Sequence, residues 1–271
     1  MCVHNKMNKI GRAMLMVTAG VIAVGLIAAR AHGQSFTISQ NGKSVGTASL
    51  SLKQAAAGFD STSGTKIDMP GLKYNFSENA ALDAGYHLSK VQLTGSVNGT
   101  AATVNASPTQ AGQTRQFLMK INANGQVTNT PLGFHRQTVF LADFDPGALQ
   151  TLLNLGAAHN NADLWALIPK QTGSIAALRI ATNADMKGTL NGTPVEVHHL
   201  TVTYGSDKTE LFSSPKNELL QAEWTDEGFA MVRQGFKLTP SARPNAAPPA
   251  APPADATPAP AGQAPQAKPQ Q

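Results

Sequence analysis

Histidine and carboxylate side chains are the groups in this sequence whose types and spacing best suit chemistry. His198 and His199 are adjacent in a segment with strand-like alternation, where neighbouring side chains point to opposite faces. The two imidazoles therefore cannot easily bind the same metal ion. The apolar positions shift from Val195 and Val197 to Leu200 across this pair, which predicts a β-bulge, with a ligand role as the alternative.

Three other histidines are isolated in the sequence. His87, His135 and His159 have no second ligand at the spacing of a metal site, so we predict no metal centre. The sequence also has no G-x-S-x-G nucleophile elbow and no glycine-rich phosphate loop. We therefore predict no catalytic residue and no cofactor, and the ligand-binding residues stay unassigned. A hydrolase that uses His87 or His135 with a nearby carboxylate is the enzymatic alternative.

A pair of carboxylates precedes the one helix that the sequence predicts. Asp143 and Asp145 alternate across Phe144, which would place both on one strand face and suit acid–base chemistry or calcium binding. Asp145 is followed by Pro146, and this order is typical of a helix N-cap and first helical residue. We favour the capping role. The predicted helix has an apolar stripe and can end at Gly156; the stripe consists of Leu149, Leu152 and Leu153.

The elements that must position these groups form one β-rich domain over residues 34–238. Apolar residues alternate with polar ones through most of this region, which predicts an antiparallel sheet with one buried face. Asn-Gly pairs between the alternating runs predict tight hairpins, because both turn residues tolerate positive φ; they begin at Asn41, Asn98, Asn124 and Asn191.

Two of these turns have similar sequences. Residues 95–100 read GSVNGT and residues 188–193 read GTLNGT, and each leads into a strand-like run. This similarity suggests two related halves, 35–128 and 129–238. Independent use of the same hairpin residues is the alternative explanation.

Residues 1–33 have the pattern of a secretory signal. Basic residues precede an apolar run over residues 13–29, and small residues follow it. We predict cleavage after Gly33, or after Ala31 as second choice, and a periplasmic or secreted protein. A retained signal anchor is the alternative, because 17 apolar residues can just span a bilayer. The basic residues of this segment are Lys6, Lys9, Arg12 and Arg30.

Cleavage of this segment would change the charge of the protein. The whole chain carries +5, but four of its 21 basic residues and none of its 16 acidic ones lie in the signal, so the mature chain carries +1. Its one cysteine, Cys2, lies in the signal too. The mature protein would therefore have no disulfide, and its near-neutral surface gives no nucleic-acid footprint.

The other end of the chain has a very different composition. Residues 239–271 contain ten of the 17 prolines, no aromatic residue and no aliphatic residue larger than alanine. Such a segment cannot bury enough apolar surface to offset its chain entropy, so we predict a disordered, proline-rich tail. A partner that recognises proline is the alternative to a simple spacer.

The predicted sheet is much wider than the one predicted helix, and this difference is the feature that points towards function. Eight to ten strands about 4.8 Å apart would span roughly 40–48 Å, whereas a helix of about 11 residues is only some 16 Å long. The helix alone cannot cover such a face. We therefore predict a curved sheet or half-barrel with one covering helix, whose concave face is completed by closure or by a ligand.

Two segments resemble a known group of domains. Residues 36–47 (FTISQNGKSVGT) and 219–229 (LLQAEWTDEGF) are similar to the first and closing hairpins of bacterial exported β-sheet domains with a lipoprotein-carrier-like fold. The resemblance implies a curved antiparallel sheet with a helix in its concavity and, in the carriers, an acyl-chain site. This chain differs from a carrier by its long proline-rich tail and its few covering helices.

These observations together favour a non-catalytic exported envelope protein. We expect its concave sheet face to bind a hydrophobic ligand, such as a lipid, or an envelope protein. The alternative is a structural or assembly module that presents strand edges and has no small-molecule ligand, and an enzyme comes third. We expect no nucleic-acid partner and no stable membrane span after signal cleavage.

Overall fold

The computed structural model describes residues 33–170 and 172–240, so the predicted signal and nearly all of the predicted tail lie outside the described residues. The described chain forms 17 strands and one helix, α1 (Pro146–Ala158). The strands of the first half are β1 (Gln34–Gln40), β2 (Lys43–Ala55), β3 (Gly58–Met69), β4 (Leu72–Asp83), β5 (Leu88–Val97), β6 (Thr100–Ala111), β7 (Thr114–Ala123) and β8 (Gln126–Gly133). Those of the second half are β9 (Thr138–Phe140), β10 (Leu164–Ile168), β11 (Ser174–Thr182), β12 (Met186–Leu190), β13 (Thr193–Tyr204), β14 (Asp207–Ser213), β15 (Leu219–Trp224), β16 (Phe229–Arg233) and β17 (Phe236–Leu238).

The strands build one open sheet around the helix. Consecutive hairpins join β1 to β8, and β1 also pairs with β16, which continues the sheet through β15, β14, β13, β11 and β10 to β9. Within the described residues, β8 pairs only with β7, so β8 and β9 are the two ends of this order. The expected mainly β fold with one covering helix is therefore confirmed, as an open and curved sheet.

The strand order contains one exception to the predicted antiparallel pattern. β9 and β10 are parallel, with Thr138 opposite Trp165, and α1 is the connection between them. Parallel neighbours need such a crossover, because the chain must return to the end of the sheet from which it started. The helix thus belongs to the topology of the sheet and is not an appended cover.

The helix lies at the centre of the main core. Ten of its 13 residues are buried, including Leu152 and Leu155, both 0% exposed. A helix that is buried nearly all round must be enclosed, and it contacts β2 and β3 of the first half as well as β9 and β15 of the second. Burial of each leucine contributes about 1.5–3 kcal/mol to folding. The inward faces of most strands and α1 therefore form the main core.

The Asn-Gly hairpins are confirmed. In all four turns the asparagine has φ between 49° and 51° and the following glycine has φ between 76° and 83°. Positive φ at both central residues matches the right-handed twist of the strands on either side.

The predicted β-bulge at His198 and His199 is wrong. Both residues stay in register with β14, opposite Ser213 and Phe212, while β13 changes its other neighbour from β12 to β11. The apolar shift has a different cause. Val197 belongs to a second, smaller core with Phe212, Leu220 and Phe236, whereas Leu200 packs on the main core. In β13, the apolar residues at odd positions thus pack in the smaller core, and those at even positions pack in the main core.

No helix of residues 33–170 and 172–240 has the length and apolar character needed to cross a membrane.

Candidate functional site

A cleft opens at the rim of the curved sheet. It has a volume of about 560 Å³ and lies between the β4–β5 turn, the ends of β6 and β7, and the segment that joins β8 to β9. We call it the rim cleft. Its lining combines charged groups with apolar ones and consists of Asp83, His87, Leu88, Ser89, Pro108, Arg115, Phe134 and Arg136.

One side of the rim cleft is a rigid turn held by Asp83. Its Oδ1 accepts hydrogen bonds from the backbone N–H groups of Gly85 (2.8 Å) and His87 (2.9 Å). The Nδ1 atom of His87 lies 2.9 Å from the same carboxylate. Partial burial raises the pKa of Asp83, but the hydrogen bonds from His87 and Gly85 outweigh it and the pKa is lower than usual. The carboxylate of Asp83 is thus bound by groups of its own turn.

The Asp83–His87 pair is oriented like the pair that activates a nucleophile in some hydrolases. In the described residues, no nucleophilic side chain is hydrogen-bonded to it. With Nδ1 on Asp83, the lone pair of a neutral His87 is at Nε2, and that atom is buried without a hydrogen-bond partner. The neighbouring ring, His159 at the end of α1, lies 5.1 Å away between centroids. Among the described residues, no serine, threonine or cysteine is hydrogen-bonded to His87. The arrangement positions a turn and supplies no nucleophile.

The other side of the rim cleft carries two arginines. The guanidinium of Arg115 lies 3.9 Å above the ring of Phe134, in cation–π geometry. Within the described part of the chain, neither Arg115 nor Arg136 forms an ion pair with a carboxylate, whereas Arg233 pairs with Glu218 at 3.0 Å. Arg115 thus packs on an apolar ring and Arg136 lines the same cleft, and the salt bridges of the described residues include neither guanidinium group.

The sequence did not reveal these arginines as a site. Most of β7 and the whole of β8 separate them in the sequence, and the pairing of Gln116 with Gly133 brings the two segments together. No motif marks either residue. Only a correct prediction of the β7–β8 hairpin register would have placed them in one cleft.

A second group of polar residues lies inside the core, where α1 begins. Asp145 caps the helix as predicted: its Oδ1 accepts from the N–H of Gly147 at 2.7 Å and from the Ser63 hydroxyl at 2.5 Å. Gly147 permits this approach, because a Cβ atom there would lie 2.8 Å from the Ser63 oxygen. Glu78 is opposite Ser63 in the β3–β4 ladder and is 3% exposed. We call Ser61, Ser63, Glu78 and Asp145 the acid cluster.

The two carboxyl groups of the acid cluster interact with each other inside the core. Burial raises the pKa of Glu78 well above its ordinary value, and the charge and hydrogen bond of Asp145 raise it further. Both effects favour the protonated form of Glu78, which can donate a hydrogen bond to Asp145. Three buried atoms of this group have no protein hydrogen-bond partner: Ser61 Oγ, Glu78 Oε2 and Asp145 Oδ2.

Asp143 does not join Asp145, so the prediction of two carboxylates on one face is wrong. Phe144 has φ of 55°, and this left-handed residue interrupts the extended chain between them. The Asp143 side chain is 44% exposed and lies 3.2 Å from the ammonium of Lys170, which also contacts Asp207 at 3.6 Å. Tyr204 lines one depression together with Asp143, Lys170 and Asp207. Burial and the charge of Asp207 raise the pKa of Tyr204 to about 12.

The remaining histidines have separate environments. His198 Nδ1 lies 3.0 Å from Asp185, His199 Nε2 lies 2.9 Å from Glu210, and the His135 ring stacks on Trp165 at 3.5 Å. The two adjacent histidines thus have different carboxylate partners. Over residues 33–170 and 172–240, no cluster of three or more histidine, cysteine or acidic residues has the geometry to hold a metal ion.

Comparison of the chain with protein-family models, with curated proteins and with solved structures found no match.

Proposed function

We propose that this protein is a non-catalytic exported protein of the cell envelope, and that its rim cleft binds an anionic ligand with an apolar body. The observation that carries the proposal is the pair of arginines, Arg115 and Arg136, which line a partly apolar cleft and have no acidic partner among the described residues. A carboxylate or phosphate with a short hydrocarbon or aromatic group has the matching chemistry.

The core explains why the ligand belongs at the rim. Strands of both halves bury their inward side chains against α1, so the helix and these side chains fill the space that a carrier would leave for an acyl chain. The rim cleft remains open beside this core and is floored by Leu88, Pro108 and Phe134. An apolar group placed there would extend the existing hydrophobic surface, while the arginines bind its charged end.

The start of the sheet supports the proposed export. β1 begins at Gln34, the residue that follows the predicted cleavage site, so cleavage after Gly33 would leave the first strand whole. When the complete chain is expressed in a Gram-negative host, we expect it in the periplasmic fraction with Gln34 as its first residue. Amino-terminal sequencing of that fraction measures this. A chain that stays in the membrane with residues 1–33 attached would contradict cleavage and favour the anchor.

Substitution of both arginines should weaken binding of an amphipathic anion. We expect the chain from residue 34 to 271 to bind octanoate or octyl phosphate more tightly than octan-1-ol. Arg115→Gln and Arg136→Gln should each lower the affinity for the anions about tenfold, because a hydrogen bond to a charged group contributes roughly 1.5–3 kcal/mol. Isothermal titration calorimetry at fixed salt concentration measures the affinity of each protein for octanoate, octyl phosphate and octan-1-ol.

The control for this titration is Arg179→Gln, which removes an exposed arginine of β11 outside the rim cleft. It should leave the affinities unchanged. Equal affinity for octanoate and octan-1-ol, or a loss of affinity in the control as large as in the cleft variants, would exclude the proposed role of the two guanidinium groups.

A structural or assembly module is the second candidate, favoured by one edge of the sheet. β8 has one hydrogen-bonded neighbour among the described residues, and its alternate side chains are exposed. Such an edge can accept a strand from another protein. Stoichiometric capture of one envelope protein that is lost on Asn129→Pro, with no binding of the amphipathic anions, would favour this candidate over the first.

A further inference from the structure

A depression of about 160 Å³ lies between two hairpin turns of the second half of the sheet. The β13–β14 turn and the β15–β16 turn line it, and the segments before α1 and after β10 contribute the rest of its wall. Three aromatic residues belong to this wall, namely Phe144, Tyr204 and Trp224. We call it the aromatic depression. It shares no lining residue with the rim cleft.

Phe144 holds its place in this wall with an unfavourable backbone conformation. Its φ of 55° is unusual for a bulky residue. Two hydrogen bonds fix the chain at this point: Thr65 donates to the carbonyl of Phe144 at 2.7 Å, and the Tyr74 hydroxyl donates to the carbonyl of Asp143 at 2.9 Å. The Phe144 ring lies 5.0 Å from the Trp224 ring, at an interplanar angle of 64°. Strained residues that their surroundings hold in place are concentrated at functional sites.

Carboxylates outnumber lysines in the lining of the aromatic depression by four to two. The ammonium of Lys170 lies 3.2 Å from Asp143 and 3.6 Å from Asp207, and Lys208 pairs with Glu210 at 2.8 Å. Both lysines are thus already bound by carboxylates of the protein. The position of Lys170 also shows that this wall can bind an ammonium group.

The other two carboxylates of the lining have no such partner. Asp226 and Glu227 are exposed residues of the β15–β16 turn, and within residues 33–170 and 172–240 neither forms a salt bridge. Carboxylates that bind a metal ion converge on one point, and over the same residues no group of three or more acidic, histidine or cysteine side chains does so. The uncompensated negative charge therefore suits a larger cation, which the carboxylates surround at a distance.

Tyr204 adds an unpartnered hydroxyl to the wall. The residue is 8% exposed, and in the described part of the chain its hydroxyl forms no hydrogen bond. Burial and the charges of Asp207, Asp143 and Glu227 raise the pKa of Tyr204 against the opposing charge of Lys170, so the field at the hydroxyl is negative. The phenol stays protonated at neutral pH and is free to exchange a hydrogen bond with a ligand.

The chemistry of these groups narrows the kind of ligand. An anion would meet four carboxylates, which separates this site from the rim cleft and its arginines. A neutral ligand would leave the charges of Asp226 and Glu227 uncompensated. Aromatic rings attract cations, and methylated ammonium groups are the ligands most often bound in this way. Such a group gives up little hydration when it enters an aromatic wall, because it has no N–H donor.

We propose that the aromatic depression binds a small organic cation that combines a methylated ammonium group with a hydroxyl, as choline does. The ammonium lies against the aromatic wall, in the field of Asp226 and Glu227, and the ligand hydroxyl bonds Tyr204. This site is additional to the anion site proposed for the rim cleft and does not depend on it.

Calorimetric titration of the chain from residue 34 to 271 tests the proposal. We expect choline to bind about tenfold or more tightly than 3,3-dimethylbutan-1-ol, its neutral isostere, because only the cation is attracted by the wall. Fluorescence locates the binding. Trp165→Phe leaves Trp224 as the only tryptophan of the chain, and choline should change its emission. Arg115→Gln with Arg136→Gln should bind choline as the wild type does.

Charge-matched variants make the test specific. Asp226→Asn with Glu227→Gln should bind choline about fivefold more weakly, the modest loss expected of exposed carboxylates. Asp60→Asn with Asp68→Asn removes the same charge from exposed positions of β3 outside the depression and should bind as the wild type. Trp224→Leu should bind about tenfold more weakly. Thermal unfolding checks that this last variant is folded, and the two turn substitutions do not alter the core.

Two further probes define the ligand. Tyr204→Phe should weaken the binding of choline and leave that of tetramethylammonium, which has no hydroxyl, unchanged. Phosphocholine should bind more weakly than choline, because the carboxylates repel its phosphate; binding as tight as that of choline would assign a lipid headgroup in place of a free cation. Equal affinity for choline and its neutral isostere, or an unchanged affinity of the Asp226→Asn, Glu227→Gln variant for choline, would overturn the proposal.

Discussion

Replacement of Asp145 by alanine should lower the free energy of unfolding by about 3 kcal/mol, which makes it one of the most damaging single changes in the molecule. Loss of a helix N-cap costs about 0.5–2 kcal/mol. The same change leaves the buried hydroxyl of Ser63 without its acceptor and Glu78 without its hydrogen-bonded partner, and a buried orphaned group costs about 1–3 kcal/mol. Urea unfolding at pH 6, followed by circular dichroism, measures the difference.

Three companion variants make this result specific. Asp145→Asn keeps an oxygen at the cap and should be clearly more stable than Asp145→Ala. Asp60→Ala removes an exposed carboxylate of β3 and should change the free energy of unfolding by less than about 0.5 kcal/mol. Ser63→Ala combined with Asp145→Ala should be less harmful than the sum of the two single changes, because they remove one interaction. Strict additivity would show that the contact contributes nothing.

The second large effect concerns the raised pKa of Glu78 in the acid cluster. The pKa of Glu78 is raised in the folded protein, so the folded state holds a proton that the unfolded chain releases near pH 4.5. This contribution to stability is fully present below that pH. It is lost as the pH rises from about 4.5 towards the pKa of the folded state, by up to about 1.4 kcal/mol per pH unit.

Glu78→Gln should remove this loss. The glutamine amide can donate to Asp145 as the protonated acid does, and it cannot ionise. We expect the variant to exceed the wild type by roughly 1–4 kcal/mol at pH 8, with the difference shrinking towards pH 4. Paired urea titrations from pH 4 to pH 8 measure the difference between the two proteins.

Other groups near Glu78 set the conditions for that comparison. Asp143, Asp145 and Tyr74 face the same region, and burial together with these carboxylates raises the pKa of Tyr74, which stays protonated over this pH range. The lowered pKa values of Asp83 and Glu210 add stability that is lost at acid pH, in both proteins alike. Glu196→Gln, on the exposed side of β13, is the control. A difference between wild type and Glu78→Gln that does not vary with pH would exclude a raised pKa of Glu78 in the folded protein.

The sequence predicts the elements whose pattern is set locally. The four Asn-Gly hairpins, the Asp145 cap and the buried leucines of α1 each depend on residues close in the chain, and the structure confirms them. β3 escapes such a prediction, because its central inward positions are Ser61, Ser63 and Thr65, which interrupt the apolar alternation that Ile67 continues. Two of these polar residues serve the start of α1: Ser63 donates to Asp145, and Thr65 donates to the carbonyl of Phe144.

The features that depend on distant residues could not be predicted. The predicted eight to ten strands fall short of the 17 in the sheet, because several strands are short or lack alternation. His198 and His199 mark a change between two cores, and only the pairing of β12 with β17 creates the second one. The rim cleft likewise requires Asp83, Arg115 and Arg136 to meet at one rim. The possible similarity between residues 35–128 and 129–238 remains a prediction.

The pairing of β1 with β16 has a consequence for the order in which the molecule is completed. Phe36 lies opposite Arg233, so nearly the whole β-rich domain separates the two sides of this seam in the chain. The meander from β1 to β8 can form hairpin by hairpin, but its joining to the second half must wait for the last strands of the domain. Such long-range closure is slow. During synthesis, therefore, the first half would hold an uncovered apolar surface until Phe229–Arg233 emerges.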